Sequence, residues 1–130
     1  MNRDHIVPTL MFIYGAASLV HFLHNAAYLN YYPNMPTWLT PVGVLASWLL
    51  VASVGAIGYW LFRQGRRAAG LAVIALYAVL GFGGLDHYAI APVSAHSLAM
   101  NVTIIGEVIA AAVLLVVTAW IAIQRGESRT

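Results

Sequence analysis

Four long apolar stretches alternate along the chain with short segments rich in proline, arginine or aromatic residues. The stretches predict helices over about residues 8–31, 41–62, 67–90 and 94–124. Proline cannot continue a helix, so the YYPNMP segment ends the first helix and Pro92 separates the third from the fourth. Each stretch has the roughly 20 apolar residues that cross a bilayer. The pattern predicts an all-α integral membrane four-helix bundle, with residues 1–130 as a single domain.

Composition agrees with this prediction and removes several classes of function. Of the 130 residues, 62% are hydrophobic and 8% are charged, against about 25% charged residues in a soluble domain. The lipid bilayer is therefore the expected partner. The absence of cysteine excludes disulfides, thiolate metal sites and CxxC redox chemistry. A net charge of +2 does not indicate nucleic-acid binding, because the position of every arginine has a topological explanation.

All six basic residues lie at one side of the predicted bundle. They are Arg3, Arg63, Arg66, Arg67, Arg125 and Arg129. Cytoplasmic loops concentrate arginine and lysine, so both termini and the RQGRR loop are predicted to be cytoplasmic. The expected location is the plasma (inner) membrane, crossed several times, with the 32–40 loop and the 91–94 turn facing outward.

Ionisable and amide side chains inside the predicted helices are not scattered, and such residues are functional candidates by default. The first helix carries a polar stripe at spacing i, i+3, i+4, i+7, formed by His21, His24, Asn25 and Tyr28. The third helix ends with Asp86 and His87. The fourth helix carries a second stripe at helical spacing, formed by His96, Met100, Thr103 and Glu107.

The predicted topology converts these positions into depth. At about 1.5 Å of rise per residue, His21 lies roughly 15 Å below the outer end of its helix. By the same count Glu107 lies roughly 20 Å below the start of the fourth helix, near the middle of a ~30 Å hydrocarbon core. The sequence predicts a polar pocket between the first, third and fourth helices that opens outward and has His21 and Glu107 at its floor.

Histidine and carboxylate side chains are the ligands that zinc, copper or iron would accept from a protein without cysteine. The predicted metal ligands are His21, His24, His87, His96 and Glu107, supported by Asn25, Asp86 and Asn101. The spacing matches neither the HExxH signature of zinc proteases nor the paired Glu-x-x-His motifs of di-iron bundles. No residue can be assigned a catalytic role from the sequence.

Other interpretations of the same residues remain open at this stage. Heme between histidines of different helices is the secondary cofactor alternative. The polar side chains would alternatively form interhelical hydrogen bonds that fix the bundle, with His21 and Glu107 as a hydrogen-bonded pair.

Three functions follow from these interpretations. The first is a metal-dependent membrane protein engaged in redox or lipid-substrate chemistry. The second is an ion, proton or small-solute transport component formed by an oligomer, because the inner halves of the helices offer no polar route in one chain. The third is a small non-catalytic subunit of a larger membrane complex, with or without heme. Small residues in the helices favour close helix packing, either within one chain or between chains. They therefore leave open whether the chain forms a homo-oligomer.

Overall fold

Four helices in the described part of the chain are long and apolar enough to cross a membrane: His5–Ala27, Pro41–Arg63, Arg67–Ile90 and Leu98–Gln124. The computed structural model describes residues 3–127, with side chains from residue 5 to residue 124. The helices are α1 (Arg3–Ala27), α2 (Pro41–Arg63), α3 (Arg67–Leu80), α4 (Asp86–Ile90) and α5 (Leu98–Glu127). The prediction of an all-helical chain with four membrane-length helices is confirmed.

Arginine side chains from the two ends of the chain, which contributed to the predicted topology, lie outside the described side chains. They belong to Arg3, Arg125 and Arg129. The arginines of the loop between α2 and α3 are described, and all three are exposed. We call the end of the bundle that carries this loop the arginine end, and the opposite end the outer end, a name that follows the predicted topology alone.

The first helix begins and ends earlier than the predicted bounds of 8–31. It starts at Arg3, so Pro8 lies inside α1, and it stops at Ala27. A 3₁₀ turn, Leu29–Tyr31, follows and bends the chain back over the bundle. The second helix begins at Pro41, after Thr40, whose hydroxyl accepts a hydrogen bond from the backbone N–H of Gly43 over 3.1 Å. This N-cap fixes the start of α2, because it satisfies a backbone donor that the helix itself leaves unpaired.

The third span is interrupted. It consists of α3, a 3₁₀ segment over Gly81–Leu85, and the short helix α4. At Gly81 an added Cβ would lie 2.6 Å from both the Cβ of Ala111 and the hydroxyl oxygen of Tyr14. The missing side chain therefore lets the third span approach α1 and α5 closely and positions the residues that follow.

The fourth span begins later than residue 94. Val93–Ala95 form a 3₁₀ turn, and α5 starts at Leu98. Ser97 precedes α5, and its hydroxyl accepts a hydrogen bond from the backbone N–H of Met100 over 3.2 Å. His96 therefore lies on the connecting turn, outside the helix that was predicted to carry it.

The core lies between α1, α3 and α5, and α2 packs against α1 and α3 from one side. Its fully buried apolar side chains include Val7, Ile74 and Leu114. Glycine allows α2 to pack closely against α3. A Cβ at Gly58 would lie only 3.0 Å from the backbone nitrogen of Ile74. Small residues in this part of the bundle therefore allow close packing within one chain.

Candidate functional site

His21 of α1 and Glu107 of α5 face each other in the interior, as the sequence predicts for the pocket floor. Both are 2% exposed, and the His21 Nε2 atom lies 3.7 Å from the Glu107 Oε2 atom. The other ring nitrogen, Nδ1, lies 3.4 Å from the Thr103 hydroxyl oxygen. The Thr103 hydroxyl donates its own hydrogen to the carbonyl of Met100 over 3.0 Å, so its oxygen is free to accept from His21. This network favours a hydrogen on Nδ1 and directs the Nε2 lone pair of His21 toward Glu107.

His87 lies between the other two buried histidines of the cluster. Its ring centroid is 5.4 Å from that of His21 and 6.1 Å from that of His96. The Asn25 side-chain amide lies 3.2 Å from His87 Nε2 and donates a hydrogen bond to it. The opposite nitrogen, His87 Nδ1, therefore carries the hydrogen of the neutral ring, and it is buried without a hydrogen-bond partner among the described residues. Asn25, predicted as a supporting residue, therefore contacts a predicted ligand directly.

His96 is held by the turn that precedes α5. Its Nδ1 atom lies 3.1 Å from the carbonyl oxygen of Pro92, and a carbonyl can only accept, so Nδ1 carries the hydrogen. The Nε2 atom of His96 is then an unprotonated lone pair, and it is buried without a partner among the described side chains.

Asn101 fixes the same turn. Its amide donates to the carbonyl oxygens of Val93 and His96 over 3.2 and 3.3 Å. Its own oxygen accepts a hydrogen bond from the Tyr88 hydroxyl over 2.8 Å. All hydrogen-bonding atoms of the Asn101 side-chain amide are thus engaged in holding the segment that carries His96, which is the supporting position expected for it.

Tyr32 belongs to the cluster but is not among the site residues that the sequence predicts. It is buried, and its hydroxyl oxygen lies 2.9 Å from Nδ1 of His24. Its ring centroid lies 4.9 Å from that of His87. Burial raises the pKa of the Tyr32 phenol, so the hydroxyl stays protonated beside the His24 ring. The sequence signal for Tyr32 is weak, because α1 ends before it and only the 3₁₀ turn brings it back to the histidines.

His24 and Asp86 lie at the edges of the cluster. The His24 ring packs against Tyr28 with centroids 4.7 Å apart, and it lines an outer groove of about 400 Å³. Asp86 is exposed and lines another groove, of about 290 Å³, together with His87. The structure thus brings His21, His87, His96 and Glu107 together in the interior and leaves these two residues at the outer openings.

The cluster contains polar atoms that nothing in the described chain satisfies. The buried atoms without a hydrogen-bond partner here are Asn25 Oδ1, His87 Nδ1, His96 Nε2 and Glu107 Oε2. With the side chains as they stand, no three His, Asp or Glu residues of the described chain surround one metal position. An unsatisfied polar group inside a membrane costs several kcal/mol. These atoms are therefore free of partners in the described chain and available to a bound ion, a proton or water.

Buried polar side chains continue toward the arginine end, which corrects the interpretation that this half of the bundle is apolar. Tyr14 and Ser18 of α1 and Thr118 of α5 are almost completely buried. A signal was available, because Tyr14, Ser18, His21 and Asn25 follow the spacing i, i+4, i+7, i+11 and so share one helix face. Hydropathy averaged over a window conceals this signal, because the apolar neighbours of Tyr14 and Ser18 keep the mean hydropathy of the first span at 1.8.

Comparisons of the chain with protein-family models, with curated proteins and with solved structures find no match. The function must therefore be argued from the site itself.

Proposed function

We propose that the protein is an integral membrane protein that binds one transition metal ion, zinc, copper or iron, through His21, His87, His96 and Glu107. The observation that carries this proposal is the pair of buried, unpartnered ligand atoms His96 Nε2 and Glu107 Oε2, with the Nε2 lone pair of His21 beside the carboxylate. His87 would offer its Nδ1 lone pair once the Asn25 amide turns over, so that its oxygen accepts from Nε2–H. A metal ion would pair with the carboxylate and with neutral imidazole lone pairs, which relieves the cost of leaving them unsatisfied.

The separations in the cluster are close to those of ligands on a shared ion. Two ligand atoms about 2.1 Å from one tetrahedral ion lie about 3.4 Å apart, and the His21 and Glu107 atoms are separated by 3.7 Å. Two imidazoles bound to such an ion have ring centroids about 5 Å apart. The observed values from His87 to His21 and to His96 are 5.4 and 6.1 Å. These are neighbouring pairs along the cluster, and one shared ion would require the side chains to lie closer together than they stand.

The hydrogen-bond partners of the histidines are also typical of a metal centre. A ligating histidine usually donates its second ring N–H to a carbonyl, carboxylate or water, which fixes the nitrogen that binds the metal. Thr103 and the Pro92 carbonyl occupy these positions for His21 and His96. His24, which the sequence also predicts as a ligand, is left out of the proposed ligand set, because its Nδ1 atom is already hydrogen-bonded to Tyr32.

A bare ion fits this cluster better than heme. The rings of His21 and His87 are in edge contact, inclined by 79°, whereas heme requires a porphyrin plane between its axial ligands. We further propose that the arginine end faces the cytoplasm of a plasma membrane, following the distribution of arginine. The ion would then be reached from outside, and the chemistry it supplies is redox or Lewis-acid chemistry on a small or lipid-soluble substrate.

Elemental analysis of protein purified without added metal, combined with an optical spectrum, tests this proposal. We expect stoichiometric zinc, copper or iron, and its loss in His96→Ala and Glu107→Gln. His5→Ala is the matched control, because His5 is exposed near the start of α1 and should leave the metal content unchanged. A metal content that is equal in all four proteins, each monodisperse in detergent, would contradict the proposal.

A further inference from the structure

A file of buried hydroxyl groups leads from Glu107 toward the arginine end. Ser18 lies about one helical turn from both Tyr14 and His21 on the same face of α1, and His21 Nε2 in turn lies 3.7 Å from Glu107 Oε2. Neither the Ser18 nor the Tyr14 hydroxyl makes a direct hydrogen bond to another described residue, and both side chains are 0% exposed. Polar groups so placed inside a membrane bundle are commonly bridged by ordered water.

Tyr77 of the third span continues this file. Its ring packs on that of Tyr14 with centroids 4.5 Å apart. Each hydroxyl oxygen lies against a glycine, where a side chain would collide with it. A Cβ at Gly81 would lie 2.6 Å from the Tyr14 oxygen, and a Cβ at Gly15 would lie 3.3 Å from the Tyr77 oxygen. Two glycines on different helices therefore accommodate the two phenol groups where apolar side chains would otherwise fill the space.

Tyr77 also reaches an open groove of about 350 Å³ between α1 and α2. Pro8, Gly55 and Tyr59 are among the residues that line it. Tyr59 lies near the arginine end, where the Arg63 guanidinium is 6.0 Å from its ring centroid. The groove therefore extends from Tyr77 to residues near the arginine end.

We propose that Ser18, Tyr14 and Tyr77, together with bound water, form a proton-transfer chain between the floor of the histidine pocket at Glu107 and the arginine end. At each step one hydroxyl oxygen accepts a proton from the group on one side and releases its own proton to the group on the other side. One O–H bond forms as another breaks, and every hydroxyl is neutral before and after the transfer. The chain requires no metal ion, although it begins at Glu107, which the proposed metal site also uses.

Proton flux into vesicles tests this chain. Chelator-treated protein is reconstituted into liposomes that contain a pH-sensitive dye, and a potassium gradient with valinomycin imposes a membrane potential. We expect a faster pH change than in protein-free liposomes, and loss of this additional rate in Tyr14→Phe and Ser18→Ala, each of which removes one hydroxyl and little packing. Tyr31→Phe and Ser53→Ala are matched controls, because Tyr31 is 76% exposed near the outer end and Ser53 lies on the exposed face of α2.

The proposal is overturned if the wild-type protein conducts no faster than protein-free liposomes, or if Tyr14→Phe keeps the full rate. A measurement on the wild-type protein avoids any dependence on variant folding. Radiolytic hydroxyl labelling marks side chains beside bound water, so Tyr14 should be labelled despite its complete burial, and an unlabelled Tyr14 contradicts the chain. The proton flux is measured on metal-free protein. A failure to observe flux therefore leaves the metal proposal standing, and a failure to find metal leaves the proton-transfer proposal standing.

Discussion

Gly81 lies at the point where the third span touches both α1 and α5, so one added methyl group there tests how the bundle is packed. In Gly81→Ala the new Cβ would lie 2.6 Å from the Cβ of Ala111 and 2.8 Å from Cε2 of Tyr14. Carbon atoms normally approach to about 3.5–4.0 Å. The neighbours must therefore move, and they belong to two different helices. Overpacking of this kind typically costs about 1–3 kcal/mol.

The neighbouring Gly83→Ala supplies the control, because nothing lies within 4 Å of a Cβ at that position. Both substitutions lie in the same 3₁₀ segment and remove the same backbone freedom from the unfolded chain, an effect of about 0.4–1 kcal/mol. The difference between the two variants therefore isolates the packing term. Equilibrium unfolding in one detergent, followed by circular dichroism, measures it.

Gly81→Ala should unfold at lower denaturant than the wild type by a margin corresponding to about 1–3 kcal/mol relative to Gly83→Ala. If the two variants are equally stable, Gly81 is not a point of close helix contact. The placement of the Tyr14 hydroxyl against the third span would then also be wrong.

Three further outcomes are expected from single substitutions. Asn101→Ala should lower metal affinity about 10- to 100-fold without removing a ligand, because the turn that holds His96 loses its support; chelator competition measures this, and unchanged affinity contradicts it. Tyr32→Phe should make the thermal midpoint less dependent on alkaline pH. Burial raises the pKa of Tyr32, so its contribution to stability is complete below the ordinary tyrosine pKa of about 10 and is lost as pH rises above it. Thr40→Ala should destabilise the protein by about 0.5–2 kcal/mol through loss of the N-cap, whereas Thr40→Ser should recover most of that loss.

The long helices were predictable because each apolar window exceeds the length of a bilayer, whatever its neighbours do. The break in the third span was not predicted, since GFGGL is as apolar as the helix around it. What ends α3 there is a contact with residues of α1 and α5, far away in the sequence. Three glycines within four residues were the available signal, because glycine inside a helix weakens it and often marks a close approach.

The floor of the candidate site was predictable from depth alone, since His21 and Glu107 lie at similar levels on helices that run in opposite directions. The roles of the other histidines were not. His24 is one turn from His21 on the same helix, yet the 3₁₀ turn places Tyr32 beside it. His96 was predicted as a helix residue, whereas its Nδ1 atom is held by the Pro92 carbonyl in a turn. Such local backbone contacts decide which nitrogen of a histidine is free, and residue spacing does not reveal them.

The polar stripe of α1 changes its chemistry at the level of Glu107. Toward the outer end it presents imidazole and amide groups, His21 and Asn25, whereas toward the arginine end it presents only the hydroxyls of Ser18 and Tyr14. Neutral imidazole binds transition metals well, whereas a neutral hydroxyl accepts and donates hydrogen bonds in a chain. One helix face can therefore support a metal site above Glu107 and proton transfer below it. Substitutions of the hydroxyls should lower the proton flux and leave the metal content intact. His96→Ala should lower the metal content and leave the proton flux intact.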